Sequence, residues 1–538
     1  MSRFNGRPDL RSHRLYHVLA RYDRWIVMLA VLGVATVLRA YHLENQSLWE
    51  DEIYSWWASH FARLGEVVRY GVLPDLHPPG YQVLMFFVQR LLGDSEYALR
   101  LPSALAGVLA VALIYALGRC LYGRDEGRIA AALTAVLWFP VHYSQEARSY
   151  AFLMVGALGT TLLWLRICRR IEQDRPLWRT PLPYTYGALV VLTAYLHYFG
   201  LYLIAWQALG GVARLGPRRL GRLLPAYGLC AGLYLPWVGP MVRQLLHSSR
   251  STWFEPVSAI HTTLYDFAEH VFNQRAPQTY TMLGLVLLAL ILDLGRRRSR
   301  PPAAAATAQL LLWFLLPFAG VYLFSRWVKP ILTYRNLIIV APALYLLAAR
   351  GLTQLPGRGL TTIAAAIAVG VFAYQIGHGG YYVLPRKTQF REAAVWMQAR
   401  EEALNDGTVI GQFAYPFLLD YGFRTHPRRH PVALLVEDDR VCTGAASHQP
   451  LPGAPLPVCP TVSGDFSTVL AEDHPMTEAE VIRSTQAFAQ AQPTRYLWYV
   501  TALGEPLMPP EQWGDVGFVE EERQYFFGIH VYLYRRDP

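Results

Sequence analysis

Charged residues are scarce in this chain, and their scarcity excludes an ordinary soluble protein. Only 16% of the 538 residues are charged, whereas 53% are hydrophobic and 13% are aromatic. A typical soluble domain carries about 25% charged residues. The formal net charge of +10 would suit a nucleic-acid-binding protein, but most basic residues are arginines in short clusters between apolar runs. That distribution is typical of membrane topology signals, so we expect a lipid bilayer and no nucleic acid as a partner.

Cysteines are also few, and the five that occur do not form a disulfide framework. Cys120, Cys168 and Cys230 lie in or beside apolar runs, where free thiols are usually buried and inert. Cys442 and Cys459 lie in the polar C-terminal part. These two can pair if that part faces an oxidising compartment, and the sequence leaves the pairing open.

Several further signals are missing from the sequence. The chain has no glycine-rich nucleotide-binding signature, no metal-ligand spacing and no internal repeat. No cleavable signal peptide is evident, because the apolar run from Trp25 to Ala40 follows six arginines and has no small-residue cleavage site closely behind it. We therefore expect this first run to remain as a membrane anchor.

Long apolar runs fill the first 380 residues and predict a polytopic α-helical membrane protein. Eleven runs are long enough, or nearly so, to cross a bilayer: 25–41, 98–119, 127–143, 149–168, 184–198, 199–214, 221–241, 279–294, 307–325, 334–350 and 360–380. A further run, 77–92, follows two prolines and is only about four turns long. We expect it to lie on the membrane or dip into it. Residues 184–214 are predicted as two short helices, with one long tilted helix as the alternative.

The distribution of arginines predicts the orientation. With eleven crossings, the loops and tail on the N-terminal side hold 24 arginines, and the longer opposite loops hold eleven basic residues. Basic residues are enriched in cytoplasmic loops, so a cytoplasmic N-terminus is predicted. An odd number of crossings then places the C-terminal part outside the cytoplasm. The expected location is the bacterial inner (plasma) membrane.

Three parts of the chain follow from this topology. They are a cytoplasmic basic tail (1–24), a transmembrane domain (25–384) whose first external loop (42–97) carries juxtamembrane helices, and a soluble extracytoplasmic α/β domain (385–538). In the soluble part the pattern predicts a helix at Gln389–Glu402 and strands at Thr408–Ala414, Arg495–Thr501 and His530–Tyr534. Residues 442–465 are rich in Pro, Gly and Ser and predict a long loop.

Three adjacent carboxylates, Glu50, Asp51 and Glu52, follow the first apolar run by a few residues, with three tryptophans close by. Such tryptophans anchor the interface between lipid and water. Alone, an acidic run is more often a solvated helix start. The predicted topology, however, places three further polar motifs on the same external face. These are residues 75–81 with two prolines and a glycine, Arg100 at the mouth of the second crossing, and residues 144–150 between crossings three and four. Ionisable residues clustered at one membrane face indicate a functional site.

Five segments resemble conserved motifs of the GT-C glycosyltransferases, in the branch of the protein O-mannosyltransferases and the aminoarabinose lipid A transferase. They are Trp49–Glu52, His77–Tyr81, Arg100–Ser103, Tyr143–Tyr150 and His197–Phe199. The resemblance covers about residues 25–350. It implies a GT-C fold with about eleven transmembrane helices, and an enzyme that moves a sugar from a polyprenyl phosphate to an acceptor on the external face. The C-terminal domain carries no such motif, so the acceptor does not carry over.

The resemblance also implies roles for individual residues. Asp51 matches the family's catalytic base, Glu52 its companion acid, and Arg100 a residue near that site. The segment from Ser144 to Tyr150 departs from the aminoarabinose branch, which has an aspartate there. A direct catalytic role for Glu146 is therefore not implied.

The chemistry of sugar transfer needs the same residue types. An acceptor hydroxyl must lose a proton as it attacks the anomeric carbon, which calls for a carboxylate base. We also expect Glu52 to raise the pKa of Asp51 by like-charge repulsion, and burial to act in the same direction. The leaving lipid phosphate gathers negative charge, which the forked guanidinium of arginine binds well. Arg100, Arg148 and Arg335 are the candidates for binding this phosphate.

Other polar residues on the predicted external face are candidates for binding the substrate. They are His77, Tyr81, Glu146, Tyr150 and His197. Because the donor carries its own phosphate as the leaving group, no metal or other cofactor is required. His77 and His197 leave a divalent cation as an alternative, although a single histidine on a loop more often only hydrogen-bonds.

Two other functions compete with sugar transfer. A transporter or flippase of lipid-linked sugars would share the crossings and the interfacial arginines, but it needs no proton acceptor and more often shows inverted repeats. A membrane receptor would bind its ligand with the external domain. The sequence leaves open whether the sugar is a hexose or a pentose, and whether the acceptor is a glycan, a lipid or a protein.

Overall fold

Helices make up most of the chain in the computed structural model, which describes residues 10–247, 257–272, 275–413, 416–424, 432–437, 440–443, 477–502 and 506–537. The helices before the C-terminal domain are α1 (Leu10–Ala40), α2 (Glu50–Ala58), α3 (Leu64–Glu66), α4 (Gly80–Leu92), α5 (Glu96–Leu121), α6 (Arg124–Val136), α7 (Trp138–His142), α8 (Tyr150–Glu172), α9 (Leu182–Leu196), α10 (Gly200–Leu220), α11 (Leu224–His247), α12 (Ile260–Val271), α13 (Ala276–Gly295), α14 (Pro301–Trp327), α15 (Ala341–Thr353) and α16 (Arg358–His378).

Nine of the eleven apolar runs coincide with one helix each, and 184–214 forms two helices, α9 and α10, as predicted. Run 127–143 is instead divided between α6 and α7, and run 334–350 becomes α-helical only at Ala341, the start of α15. Among the described residues, α5, α8, α13, α14 and α16 are long and apolar enough to cross a membrane. Trp25–Ala40 and α9 are shorter apolar helices. The protein is therefore a membrane protein with several spanning helices, and the count of eleven crossings stays a prediction.

The chain divides into two compact units, as far as the structure describes them. The first comprises Met1–Tyr41, Ser103–Tyr234 and Ser251–Gly379, and the second comprises His42–Pro102, Leu235–Arg250 and Gly380–Pro538. The predicted external loop thus clusters with the C-terminal domain, and the division differs from the predicted boundary at residue 385. The predicted position of the loop and the C-terminal domain on the external side of the membrane stays a prediction.

The first unit contains a buried ionic network near the ends of α6, α13 and α15. Arg350 donates from Nε and Nη2 to the two carboxylate oxygens of Asp293, both at 2.9 Å, and from Nη1 to Glu126 at 2.7 Å. Asp293 is 1% exposed, so its charge needs these partners. The network ties together helices that are distant in sequence.

The second unit contains a six-stranded sheet with helices packed against it. The strands are β1 (Gly407–Gln412), β2 (Val432–Glu437), β3 (Arg440–Thr443), β4 (Tyr496–Ala502), β5 (Phe518–Phe526) and β6 (Ile529–Arg536), in the order β3-β2-β1-β4-β6-β5. β2, β1 and β4 are parallel, and the outer strands pair antiparallel. The remaining helices are α17 (Phe390–Gln398), α18 (Glu401–Asn405), α19 (Asp420–Phe423), α20 (Glu478–Ala491) and α21 (Pro510–Gly514).

The predicted elements of the soluble domain are found within a few residues of their expected ends. The predicted helix 389–402 ends early, at Gln398, and α18 follows it, while the three predicted strands correspond to β1, β4 and β6. Of the predicted loop 442–465, the first two residues belong to β3, and the rest lies outside the described residues. Cys459, whose pairing with Cys442 the sequence leaves open, also lies outside the described residues.

Candidate functional site

The three adjacent carboxylates form the first turn of α2. Trp49 has extended backbone angles (φ −94°, ψ 175°) and caps the helix that Glu50 begins. Acidic residues are favourable there because the first turn presents unpaired N–H groups and a positive dipole end. Glu52 accepts a hydrogen bond at 3.4 Å from the backbone N–H of Trp49. This bond connects the third residue of α2 back to its N-cap.

Glu52 is completely buried between two cations. Arg100 donates to it with a fork, from Nε at 2.8 Å and from Nη2 at 2.7 Å. Lys387 donates to the same carboxylate at 2.9 Å. Glu52 is 0% exposed and Arg100 is 2% exposed. A charge buried this deeply requires such partners. Glu52 therefore links α2 to Arg100 in α5 and to Lys387 after α16.

Arg100 uses all five of its N–H donors in this arrangement. Besides the fork to Glu52, it donates to the carbonyl oxygens of Leu43, Gln46 and Ser47, each at 2.8 Å. A guanidinium has only five N–H groups. Arg100 therefore fixes the loop from Leu43 to Ser47, and binding a donor phosphate would require it to exchange these bonds. Its role in phosphate binding stays a prediction.

Asp51 differs from the carboxylates on either side of it. Its side chain is half-buried, whereas those of Glu50 and Glu52 are buried. Burial raises the pKa of Glu50, against a hydrogen bond from Thr388 that lowers it. The predicted effect of Glu52 on the pKa of Asp51 stays a prediction. Of the three acids, Asp51 is the least buried.

His77 and Tyr81 lie at the start of α4, in the second unit. As the Pro-Pro-Gly sequence predicts, α4 begins at Gly80, with Pro79 at its N-cap. His77 donates from Nδ1 to Asp75 at 3.1 Å and is about one quarter exposed, while Tyr81 is buried. The His77 side chain is thus partly exposed and is held by its hydrogen bond to the Asp75 carboxylate.

The turn between α7 and α8, in the first unit, is built around reciprocal helix caps. α6 ends at Val136, because Leu137 is extended (ψ 138°), which leaves carbonyl groups at its end without helical partners. Arg39 donates to two of them, on Thr134 at 3.0 Å and on Ala135 at 3.1 Å. Gln145 in turn donates to the last carbonyls of α1, including that of Arg39 at 3.2 Å. Gln145 therefore connects the turn to the end of α1.

Glu146 is buried in this turn and pairs with His142. Its Oε1 lies 3.2 Å from Nε2 of His142, whose ring stacks on Trp138 at 4.5 Å between centroids. The other oxygen, Oε2, has no hydrogen-bond partner among the described residues. This oxygen is itself buried, so one acceptor atom of Glu146 lies unused inside the turn among the described residues.

Tyr150, His197 and Arg335 lie together in the first unit. The Tyr150 ring lies 5.9 Å from the His197 ring, and the Arg335 guanidinium lies 5.8 Å from the centroid of Tyr150. The backbone N–H of Phe199 donates to Nδ1 of His197 at 3.2 Å, so the neutral ring carries its proton on Nε2. The rings of Tyr150 and His197 and the guanidinium of Arg335 thus lie next to one another.

Arg148 lies in the same turn as Glu146 and is 4% exposed. Its carbonyl accepts a hydrogen bond from the hydroxyl of Ser103 at 3.1 Å, which fixes the backbone there to α5. The predicted convergence of Asp51 with Arg148 and Arg335 joins residues of both units and remains a prediction.

The fold is shared with solved membrane proteins. ArnT from Cupriavidus metallidurans in the apo state matches with a TM-score of 0.61 at 14% identity, over 95% of this chain and 98% of that one. The same protein bound to undecaprenyl phosphate matches at 0.59 and 12% identity, over 95% and 98%. AglB from Archaeoglobus fulgidus, in complex with an inhibitory peptide and a dolichol-phosphate, matches at 0.54 and 12% identity, over 96% and 74%.

The sequence agrees with this likeness over part of its length. Residues 76–205 match the family described as dolichyl-phosphate-mannose-protein mannosyltransferase. The fold is thus similar to that of the GT-C glycosyltransferases, as the resemblance implied. No curated protein matches it in sequence. The family match spans His77 to His197, and thus includes most of the motifs from which the resemblance was inferred.

Two basic residues of the second unit were not identified from the sequence pattern. Lys387 pairs with Glu52, and Arg391 donates to Glu96 at 3.1 Å. Both follow the last apolar run, outside the segments that resemble GT-C motifs. The sequence did contain one indication of Lys387: it is one of only two lysines in a chain otherwise rich in arginine.

The side chains of the described residues offer no cluster of metal ligands. Among the described residues, no group of three or more His, Cys, Asp or Glu side chains could hold a metal ion. His77 pairs with a carboxylate, and His197 accepts a backbone N–H on Nδ1. That the reaction needs no metal stays a prediction.

Proposed function

We propose that this protein transfers a sugar from a polyprenyl-phosphate donor to an acceptor hydroxyl or phosphate on the external face of the membrane, with Asp51 as the base. The observation that supports this most is the state of the three acids in α2. Glu52 is buried between two cations and Glu50 is buried with a raised pKa, whereas Asp51 is half-buried. A base must reach the acceptor proton, and Asp51 is the acid best suited to do so.

The lipid-phosphate donor is proposed from two sources. ArnT has been solved with undecaprenyl phosphate and AglB with a dolichol-phosphate, and their fold is shared by this chain. Arg148 and Arg335 are the proposed ligands of the phosphate, because all five donors of Arg100 are engaged. Tyr150 and His197 lie beside Arg335, and we assign them, with Glu146, His77 and Tyr81, to binding the substrate.

The direct test is a release assay. Purified full-length protein in lipid nanodiscs would be given polyprenyl phosphate carrying a radiolabelled pentose or hexose, together with an extract of envelope acceptors. We expect free polyprenyl phosphate to appear as the label moves to an acceptor. Movement of intact donor between leaflets without its cleavage would support a flippase, and saturable binding alone would support a receptor.

The stereochemistry of the product provides a second prediction. One candidate base and no separate nucleophile indicate a single displacement, in which the attacking oxygen enters opposite the leaving phosphate. We expect inversion at the anomeric carbon. The anomeric proton coupling in the NMR spectrum of the product measures this, and a retained configuration would contradict the single displacement.

Removal of the Arg335 guanidinium tests the proposed phosphate contact. Hydrogen bonds to charged groups contribute about 1.5–3 kcal/mol, so Arg335→Ala should raise KM for the donor by roughly 10- to 100-fold. Arg326→Ala is the matched control, because Arg326 is exposed near the end of α14. Equal KM values for the two variants would remove Arg335 from the donor site.

A further inference from the structure

The segment Tyr382–Arg391, which follows the last apolar helix, contacts the loop that leads into α2. Nδ2 of Asn45 donates to the carbonyl of Tyr382 at 3.0 Å, and Nε2 of Gln46 donates to that of Leu384 at 3.4 Å. In the opposite direction, the backbone N–H of Arg386 donates to Oε1 of Gln46 at 3.0 Å. Loop and segment are thus joined by bonds in both directions.

Arg391 extends these contacts along the loop. Its backbone N–H donates to the hydroxyl of Ser47 at 3.1 Å. Its side chain donates to the carbonyls of Glu44 and Asn45, each at 2.9 Å, and to the carboxylate of Glu96 at 3.1 Å. The loop is therefore held from Glu44 to Ser47 by one arginine of the C-terminal domain.

The same segment contacts the first turn of α2 on both sides of the proposed base. Lys387 donates to Glu52 at 2.9 Å, and Thr388 hydrogen-bonds Glu50. We propose that Lys387 is a positioning residue for sugar transfer, and that through Glu52 it holds the turn that carries Asp51. The inference rests on the proposed function, since positioning matters to the reaction only if Asp51 is the base.

The charge on Lys387 has an effect that its packing alone would not have. Arg100 already pairs with Glu52 through its fork, so Lys387 is a second cation on the carboxylate that follows Asp51 in the chain. A nearby cation favours the ionised form of a carboxylate. The Lys387 side chain is 9% exposed, which limits screening by solvent. We therefore expect the charge of Lys387 to favour the ionised form of Asp51, which is the form that accepts a proton.

The first experiment does not need activity. Hydrogen exchange of residues 43–52 would be measured in the full-length protein, in wild type and in Lys387→Met, which keeps the apolar stem and removes the charge. We expect exchange there to become about tenfold faster in Lys387→Met, because a charged hydrogen bond that holds the turn is lost. Arg386→Met is the matched control, since the Arg386 side chain is exposed and its bond to Gln46 uses the backbone.

The second experiment measures the pH dependence of kcat/KM. Removing a cation near Asp51 raises the pKa of that base, so its ionised form is lost at a higher pH. We expect the acidic limb to move up by about 0.5–1 pH unit in Lys387→Met, and Lys387→Arg to restore most of its position. Arg386→Met should leave the limb where it is in wild type.

The outcomes separate this inference from the proposed function. Unchanged exchange in residues 43–52 overturns the positioning role, whether or not the protein transfers sugar. Faster exchange with an unmoved acidic limb reduces Lys387 to a purely structural contact and also overturns it. Faster exchange in a protein that releases no polyprenyl phosphate contradicts both the base assignment and the positioning role that depends on it.

Discussion

Asp51→Asn is expected to reduce turnover by roughly 10²- to 10⁴-fold, which is the usual contribution of a general base. The amide has nearly the same shape as the carboxylate but cannot accept the proton of the acceptor hydroxyl. The buried ion pairs of the turn join Glu52 to Arg100 and Lys387, and the substitution leaves these three residues unchanged. Expression and melting temperature should therefore stay close to wild type, while release of polyprenyl phosphate is lost.

Glu50→Gln is the matched control for this prediction. It makes the same chemical change at the preceding residue, whose carboxyl is buried and has a raised pKa. Because a raised pKa favours the protonated form, the neutral amide should replace it with little loss of turnover. A turnover of Asp51→Asn comparable to that of Glu50→Gln would remove Asp51 as the base.

Several membrane helices could be predicted because their signal is local. A run of about twenty apolar residues specifies a spanning helix whatever the rest of the chain does. The short helix α4 could also be predicted, since Pro79 fixes the backbone just before it and Gly80 begins it. In the soluble domain, β1 and β4 are fully buried, and their apolar residues identified them as strands.

Strand β5 could not be predicted, because its residues do not match the pattern of a buried strand. Phe518–Phe526 contains three consecutive glutamates and is largely exposed. It becomes a strand by pairing with β6 at the edge of the sheet. Such a strand is stabilised by its neighbour and not by its own composition.

The roles of Glu52 and Arg100 could not be predicted from the sequence either. From the pattern alone, Arg100 could bind a phosphate or snorkel to lipid headgroups. In the structure it pairs with a glutamate 48 residues earlier in the chain. Nothing local signals a pairing over such a distance, and Lys387, 335 residues after Glu52, is farther still. The roles of Glu52, Arg100 and Lys387 therefore come from tertiary contacts within the second unit.

Arg100→Ala is expected to cost about 3–5 kcal/mol of folding stability, the usual effect of removing one partner from a buried ion pair. The substitution removes all five N–H donors that hold Glu52 and the carbonyls of the loop. Arg90→Ala is the matched control, because Arg90 donates to backbone carbonyls in the same unit and forms no ion pair among the described residues.

In detergent, the melting temperature of Arg100→Ala should fall well below that of Arg90→Ala, and turnover should fall with it because the turn that carries Asp51 loosens. Arg100→Lys should be intermediate, since it keeps the charge but loses the fork. Equal melting temperatures for the two alanine variants would mean that the Glu52 pair does not hold the loop.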